Sequence, residues 1–386
     1  MSNWPQSVLS VLVLALYCLV NQAHAIDTPA RQLIIIDPDT DTILVEKDAD
    51  TAVPPASMSK LMTIYMVFEA LKEGRITQND KFYVSRRASK MGGSKMFTRE
   101  GDNIRVIDLL RGIIIQSGND ACVVVAEGLA GTEENFAQKM NAKAKELGLT
   151  NSFFANSTGM PHPEHKMSVR DLVKLSEHLR EDFPDYFPLF KEQEFTWEGI
   201  KQSNRNPLLG MNIGADGLKT GHTEEAGYCL SASAERDGRR IVMAFTGLNS
   251  KKQRAEVARM LTDYAFRSFV RTDAVKNGDV MLRAPVGEGI QPMVELGALQ
   301  NVTLTIPTAQ QDKLESFVEF NSPILAPIKR GDIVGQFTVK TSQKTYGQFP
   351  LVALEDVAQA GFYARIVERA WRFLGMSSSI EPKLAN

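Results

Sequence analysis

At 386 residues, 43% hydrophobic and 23% charged, the chain is long enough for two domains with well-buried cores. A formal net charge of −2 excludes the global basic field that would argue for nucleic acid. No segment repeats at a fixed period or falls to low complexity, which excludes solenoids and long disordered linkers.

The first 25 residues read as an export signal. Ser7 to Val20 (SVLSVLVLALYCLV) is apolar but short for a membrane span, and Ala23-His24-Ala25 supplies the small residues for cleavage after Ala25. One feature departs from the usual pattern: Met1 to Gln6 contain no Lys or Arg. Cys18 leaves with the signal. The remaining Cys122 and Cys229 are too few for a disulfide framework, and their apolar neighbours predict two buried free thiols.

Arg31 to Asp50 (RQLIIIDPDTDTILVEKDAD) predicts two strands around a Pro-Asp-Thr-Asp turn. A helix is expected from Ser57 to Lys72, then two more in IRVIDLLRGIIIQSGNDACVVVAEGLAG with QSGND as connector. The amphipathic stretch ENFAQKMNAKAKELGL predicts a helix closed by Gly148, and SVRDLVKLSEHLRED another with Ser168 as N-cap. The period then changes. From Gly217, GLKTGHTEEAGYCLSASAERDGRRIVMAFTGL alternates, with turns at Glu224-Glu225 and Asp237-Gly238, and predicts three antiparallel strands followed by the helix KKQRAEVARMLTDYAFRSF.

Residues 26–272 are therefore expected to form an α+β domain of helices packed on an antiparallel sheet. From Asp273 short strands such as VTLTIP, ESFVEF, DIVGQFTV and PLVALE predict a smaller all-β domain over 273–356 with no titratable cluster. Residues 357–386 form a tail. Within it, Phe362, Tyr363, Ile366, Val367, Ala370, Trp371, Phe373 and Leu374 fill about half a helical wheel opposite Arg365, Glu368, Arg369 and Arg372. That distribution predicts a helix lying in a membrane interface, its three arginines meeting anionic lipid phosphates, and separable by a cut after Asp356.

Chemistry concentrates in three short motifs. Ser57 and Lys60, three apart on a helix, can point into one cleft, and apolar surroundings can lower a lysine's pKa until it serves as a base. S-x-x-K alone occurs by chance on many helices. Ser117-Gly118-Asn119 lies in a loop between helices, and Lys219-Thr220-Gly221 opens a strand whose glycine permits close backbone approach. Together and in this order they match the signature shared by class A β-lactamases and penicillin-binding proteins.

On these residues, with DGLKTGHTEEAGY and NRNPLL, the chain from about Arg31 to its end resembles the low-molecular-mass penicillin-binding proteins, serine-type D-alanyl-D-alanine carboxypeptidases of the two-domain, membrane-associated kind. The resemblance implies a β-lactamase-like transpeptidase fold, an all-β domain and an amphipathic anchor. It implies an acyl-enzyme on Ser57 with Lys60 as proton acceptor, and a proton relay and amide contact from Ser117 and Asn119. Lys219 would add positive charge, Thr220 would bind the terminal carboxylate, and the backbone N–H groups of Ser57 and His222 would form the oxyanion hole. Substrates would be peptidoglycan stem peptides ending in D-Ala-D-Ala, with β-lactams as acylating inhibitors, no cofactor or metal, and residence on the periplasmic face of a bacterial inner membrane. Gly118 in place of Asp, and the absence of an E-x-x-L-N string between Ser117 and Lys219, set a β-lactamase behind. A non-catalytic wall-binding scaffold is the other alternative.

Lesser signals remain. Arg205 and Arg254 resemble arginines that flank the family's carboxylate pocket, where a guanidinium fork suits both oxygens. Cys122, five residues after Ser117, is expected as a buried structural thiol near the cleft. His162 and His165 match no strong zinc spacing and are expected to structure their loop.

Overall fold

The computed structural model describes residues 26–342, 344–373 and 383–384. The expected signal, Met1 to Ala25, lies outside them, as do Leu374 and the side chains of Trp371, Arg372 and Phe373. Residues 26–38 and 43–262 form one compact unit, and residues 39–42 with those from 263 onward form a second.

The first unit is built on a five-stranded sheet. Its strands are β1 (Leu33–Asp37), β2 (Thr42–Lys47), β3 (Ala215–Thr223), β4 (Gly227–Arg236) and β5 (Arg239–Leu248), in the order β2-β1-β5-β4-β3. Residues 241–248 of β5 are buried without interruption, so both faces of the central strand are covered. The helices are α1 (Lys60–Lys72), α2 (Val106–Ile114), α3 (Asn119–Ala130), α4 (Glu133–Glu146), α5 (Val169–Asp182) and α6 (Lys251–Ser268). Ser168 caps α5 by accepting from the Asp171 N–H at 3.1 Å, and Gly148, at φ +67°, ends the turn after α4.

Eleven of the thirteen residues of α1 are buried, so this helix is core on all sides instead of amphipathic. That position forces its first residue, Lys60, out of water. The expected helix start at Ser57 is corrected: Ala56–Ser59 is a 3₁₀ turn, and the α-helix begins at Lys60. Asn119 and Asp120, expected in the QSGND connector, likewise open α3. Two small two-stranded sheets, Lys81–Tyr83 with Asn103–Arg105 and Glu194–Trp197 with Ile200–Ser203, were not legible in the sequence.

The second unit holds β6 (Phe269–Val275), β7 (Val280–Gly287), β8 (Met293–Gly297), β9 (Val302–Pro307), β10 (Glu315–Phe320), β11 (Ile333–Lys340) and β12 (Thr345–Ala353). The change of texture expected at Asp273 falls inside β6. Its core includes Leu282, Val294, Leu296, Phe337, Leu351 and Val357. Val357 exchanges backbone hydrogen bonds with Ile328 at 2.9 Å, and Ala360 N–H donates to Glu288 O at 2.8 Å. The tail boundary is therefore corrected from 356 to 360: residues 357–360 belong to the β unit because they complete its ladder. A helix, α7 (Phe362–Phe373), follows.

Candidate active site

The chain enters α1 through a strained turn. Ala56 sits at φ +50°, a region an L-residue enters only when its surroundings hold it there. Side chains three apart eclipse in a 3₁₀ turn, which lays Ser57 over Lys60. The Nζ of Lys60 lies 2.9 Å from Ser57 Oγ and 2.7 Å from Asn119 Oδ1, and it also meets the carbonyl oxygen of Thr158.

These partners decide where the lone pair of a neutral Lys60 points. A carbonyl oxygen can only accept, and the Asn119 amide is oriented by its own Nδ2 donating to Gly92 O at 2.8 Å. Two N–H bonds of a neutral amine therefore go to Asn119 and Thr158. The lone pair is left for the Ser57 hydroxyl proton. Burial above all, with Cys122, Asp120 and Glu133 partly opposing and the Arg205 charge adding to it, brings the Lys60 pKa down to about 8.

The Ser117 motif connects α2 to α3. Ser117 is buried at φ +59°, and its Oγ makes no hydrogen bond. A Cβ on Gly118 would stand 2.9 Å from Asp120 Oδ1 and 3.1 Å from the Met96 nitrogen, so no larger residue fits between the two motif residues. The Asn119 N–H donates to Ser94 O at 2.8 Å.

On β3, Lys219 and Thr220 are buried, and burial holds the Lys219 pKa well below the usual lysine value, with the charges of Lys60 and Arg205 adding to the effect. A Cβ at Gly221 would lie 3.0 Å from Pro55 O and 3.1 Å from Ala56 Cβ, so the strand runs directly against the Ser57 turn. His222 is exposed and stacks on Tyr228 with ring centroids 3.9 Å apart. Arg205 donates to Ser94 Oγ, and Arg254, buried against the Tyr228 ring, donates to Arg205 O at 3.3 Å.

Several predicted residues take no part in the hydrogen bonds of this cluster. Cys122 and Cys229 are free and buried, and burial pushes each thiol up to about 12. His165 is buried against Phe154, accepts from the Ala155 N–H at 3.3 Å, and has its pKa lowered to about 4 by burial. It structures the loop.

Sequence reasoning missed two supports. Residues 156–160 carry the Thr158 carbonyl: Asn156 Oδ1 accepts from Thr158 N–H at 3.1 Å and Gly159 N–H at 2.8 Å, and Glu133 accepts from Ser157 N–H at 3.0 Å. Gly159, at φ +77°, passes so close to Ala56 O that no side chain fits.

The second is Asp120, fully buried, whose carboxylate accepts the N–H groups of Met96 and Phe97 at 2.8 Å and of Thr98 and Ala121 at 3.0 Å. It thereby fixes the 92–98 segment against Asn119. Its only sequence signal was acidity directly after the motif asparagine. Asp120→Asn presents an NH2 group to backbone donors, and we expect it to lower stability by about 3 kcal/mol and to loosen the segment. Thermal unfolding checks the first effect and amide exchange at Met96 to Thr98 the second.

With this geometry in hand, comparison with known proteins is decisive. The peptidase family described as D-alanyl-D-alanine carboxypeptidase matches residues 19–250, and the C-terminal domain of penicillin-binding protein 5 matches residues 269–359. The chain belongs to this carboxypeptidase family. It is 36% identical over 363 residues to D-alanyl-D-alanine carboxypeptidase DacC of Escherichia coli, covering 92% of this chain and 89% of that one. The crystal structure of penicillin-binding protein 5 from Haemophilus influenzae superposes with a TM-score of 0.75 at 32% identity, covering 87% and 99% of the two chains. A penicillin-binding protein of Listeria monocytogenes, solved in its ampicillin-bound form, gives a TM-score of 0.58 at 28% identity over 63% and 99%. The chain is thus a low-molecular-mass penicillin-binding protein of α+β fold with an all-β C-terminal domain.

Proposed function

We propose that this serine peptidase removes the terminal D-alanine from peptidoglycan stem peptides through an acyl-enzyme on Ser57. The observation that carries the assignment of roles is the hydrogen-bond pattern at Lys60, which leaves only Ser57 for the amine lone pair. Lys60 takes the hydroxyl proton as Ser57 Oγ attacks the penultimate carbonyl, and backbone N–H groups of Ser57 and His222 receive the oxyanion. The proton then passes by way of the unbonded Ser117 hydroxyl to the departing D-alanine nitrogen. Asn119 holds the substrate amide, while Lys219, Thr220 and the Arg205–Arg254 pair take the terminal carboxylate. A water admitted to the acyl-enzyme completes hydrolysis. β-Lactams enter the same first step as acylating inhibitors.

The deciding experiment is incubation with a peptide ending in D-Ala-D-Ala and measurement of free D-alanine. Uptake of labelled penicillin without release would leave the scaffold reading standing. The pH dependence tests the base. Neutral Lys60 is the active form, and its fraction grows as pH rises through about 8. The acylation rate should therefore climb along a limb near pH 8 and level above it, with about a tenth of the plateau rate at pH 7. Because the Arg205 charge favours the neutral amine, Arg205→Ala should move that limb to higher pH. A flat profile from pH 6 to 10 would remove Lys60 from the role.

Export and peripheral attachment to the periplasmic face of the inner membrane complete the proposal. The leader-like Ser7 to Ala25 segment supports the first. The amphipathic face of α7 supports the second, since Phe362, Tyr363, Ile366 and Val367 are all solvent-exposed. Among the described residues no helix is long and apolar enough to cross a membrane.

A further inference from the structure

Three short segments of the second unit meet where α7 departs. The loop after β7 carries Glu288, Gly289 and Ile290. The two-residue strand Ile324–Leu325 runs parallel to the end of β7, with Leu325 opposite Gly287. Residues 357–360 return antiparallel to the loop, where Gly289 pairs with Gln359 and the Ile290 N–H donates to Ala358 O at 3.0 Å.

At this junction the polar side of α7 is already occupied. Arg369 donates to both carboxylate oxygens of Glu288, at 2.6 and 2.7 Å, and the Glu288 N–H donates to Glu368 at 2.8 Å. Glu288 is buried and held at φ +57°, so the clasp is built into the loop. A bidentate guanidinium–carboxylate pair fixes orientation as well as distance. The helix is thereby held with its other side outward.

What this end of the unit leaves in solvent is apolar. Ile290 is 65% and Leu325 55% exposed, and on α7 Phe362, two residues past the Ala360 that bonds Glu288, and Tyr363 are 64% and 83% exposed. Single exposed apolar residues are ordinary, but a contiguous set marks an interaction surface. Side chains exposed by more than half protrude instead of lining a groove, which suits a plastic interface better than a shaped partner. Exposed Lys329 and Arg330 follow Ile328, which bridges to Val357, and the acids at the same turn, Asp332 and Asp356, are turned to the backbone, accepting from the Lys329 and Arg330 N–H groups at 2.8 and 2.7 Å. Cations around protruding apolar tips complement an anionic bilayer surface.

We propose that Ile290 and Leu325 form a second membrane contact, continuous with the apolar face of α7 and entering the headgroup region of an anionic bilayer. The Glu288–Arg369 clasp makes helix and loop tips approach the surface as one body. This inference rests on the membrane reading of α7 given above.

The test uses the full chain and vesicles of phosphatidylcholine with phosphatidylglycerol, read by flotation. The double variant Ile290→Ser, Leu325→Ser alters only exposed side chains and should keep its thermal transition and its D-alanine release. Its partition coefficient should fall about tenfold, as expected for two half-buried aliphatic side chains lost from the interface. A coefficient equal to that of the parent overturns the proposal. Ile290→Trp should shift its emission to the blue on adding vesicles, and no shift counts equally against it. A loss of self-association without vesicles, in place of lipid binding, would mean a protein contact and also overturn it. A chain ending at Ala360 separates the two readings. If that chain floats as well as the parent, the anchor reading itself fails. If it is released while the double variant still floats like the parent, only the loop contact fails.

Discussion

Ser57→Ala should abolish D-alanine release and covalent penicillin labelling together, by at least about a thousandfold, while the thermal transition stays within roughly 1 kcal/mol of the parent. The asymmetry follows from what Ser57 touches. Its Oγ is bonded to Lys60, an amine that keeps its other partners, Asn119 and Thr158, when the hydroxyl is removed. No buried acceptor is orphaned, and the turn is held by the Met58 N–H to Pro55 O bond and by the approach of Gly221, neither of which needs the hydroxyl. Lys60→Ala should abolish acylation as well, but it strips two buried carbonyl oxygens of their donor and so should also cost stability, about 1–3 kcal/mol. Mass spectrometry of the penicillin adduct reads the first effect and calorimetry the second. An adduct on Ser57→Ala would move the nucleophile elsewhere, and near-normal acylation of Lys60→Ala would point to Lys219 or a water as base.

The nucleophile and its neighbours were legible because each motif sits within a few residues of chain and carries its chemistry in side chains. Asp120 was not, because three of its partners are backbone N–H groups more than twenty residues upstream, and a backbone donor leaves no mark on a sequence. The Thr158 carbonyl escaped for the same reason. In the fold, the three-strand run from Gly217 to Leu248 was readable from alternation closed by turn residues. β7 was not, since Pro285 interrupts it and Arg283, although exposed between buried Leu282 and Ala284 as the period requires, splits its apolar residues into two short pieces. The end of the β unit was misplaced because DVAQA looks like linker. Only its pairing with Ile328 and Glu288 shows that Val357 is core. The same long-range pairing revises the tail: Arg369, assigned from sequence to lipid phosphate, is taken by Glu288, eighty-one residues away.

That revision bears on where the chain can be cut. Ending it after Asp356 would delete Val357 from the core, so the informative truncation falls after Ala360, which keeps both Val357 bonds and the Ala360 N–H to Glu288 O. We expect this form to leave the membrane fraction almost completely. The apolar contact of Phe362, Tyr363, Ile366 and Val367 alone is worth roughly 4–6 kcal/mol at headgroup depth, so its loss lowers partitioning by about three or four powers of ten. Activity on small peptides should persist, because Ser57, Lys60, Ser117, Asn119, Lys219 and Arg254 all belong to the first unit. The second unit should lose some stability, about 1–3 kcal/mol, since the buried Glu288 carboxylate gives up its guanidinium partner. High salt applied to the full-length protein should extract little. Screening acts on exposed arginine–phosphate contacts over about 8 Å, but not on apolar burial, and Arg369 is spent on Glu288 rather than on lipid. Sedimentation of the truncated form with membranes would show that attachment lies elsewhere in the chain, and complete release of the intact protein by salt would show that it is electrostatic.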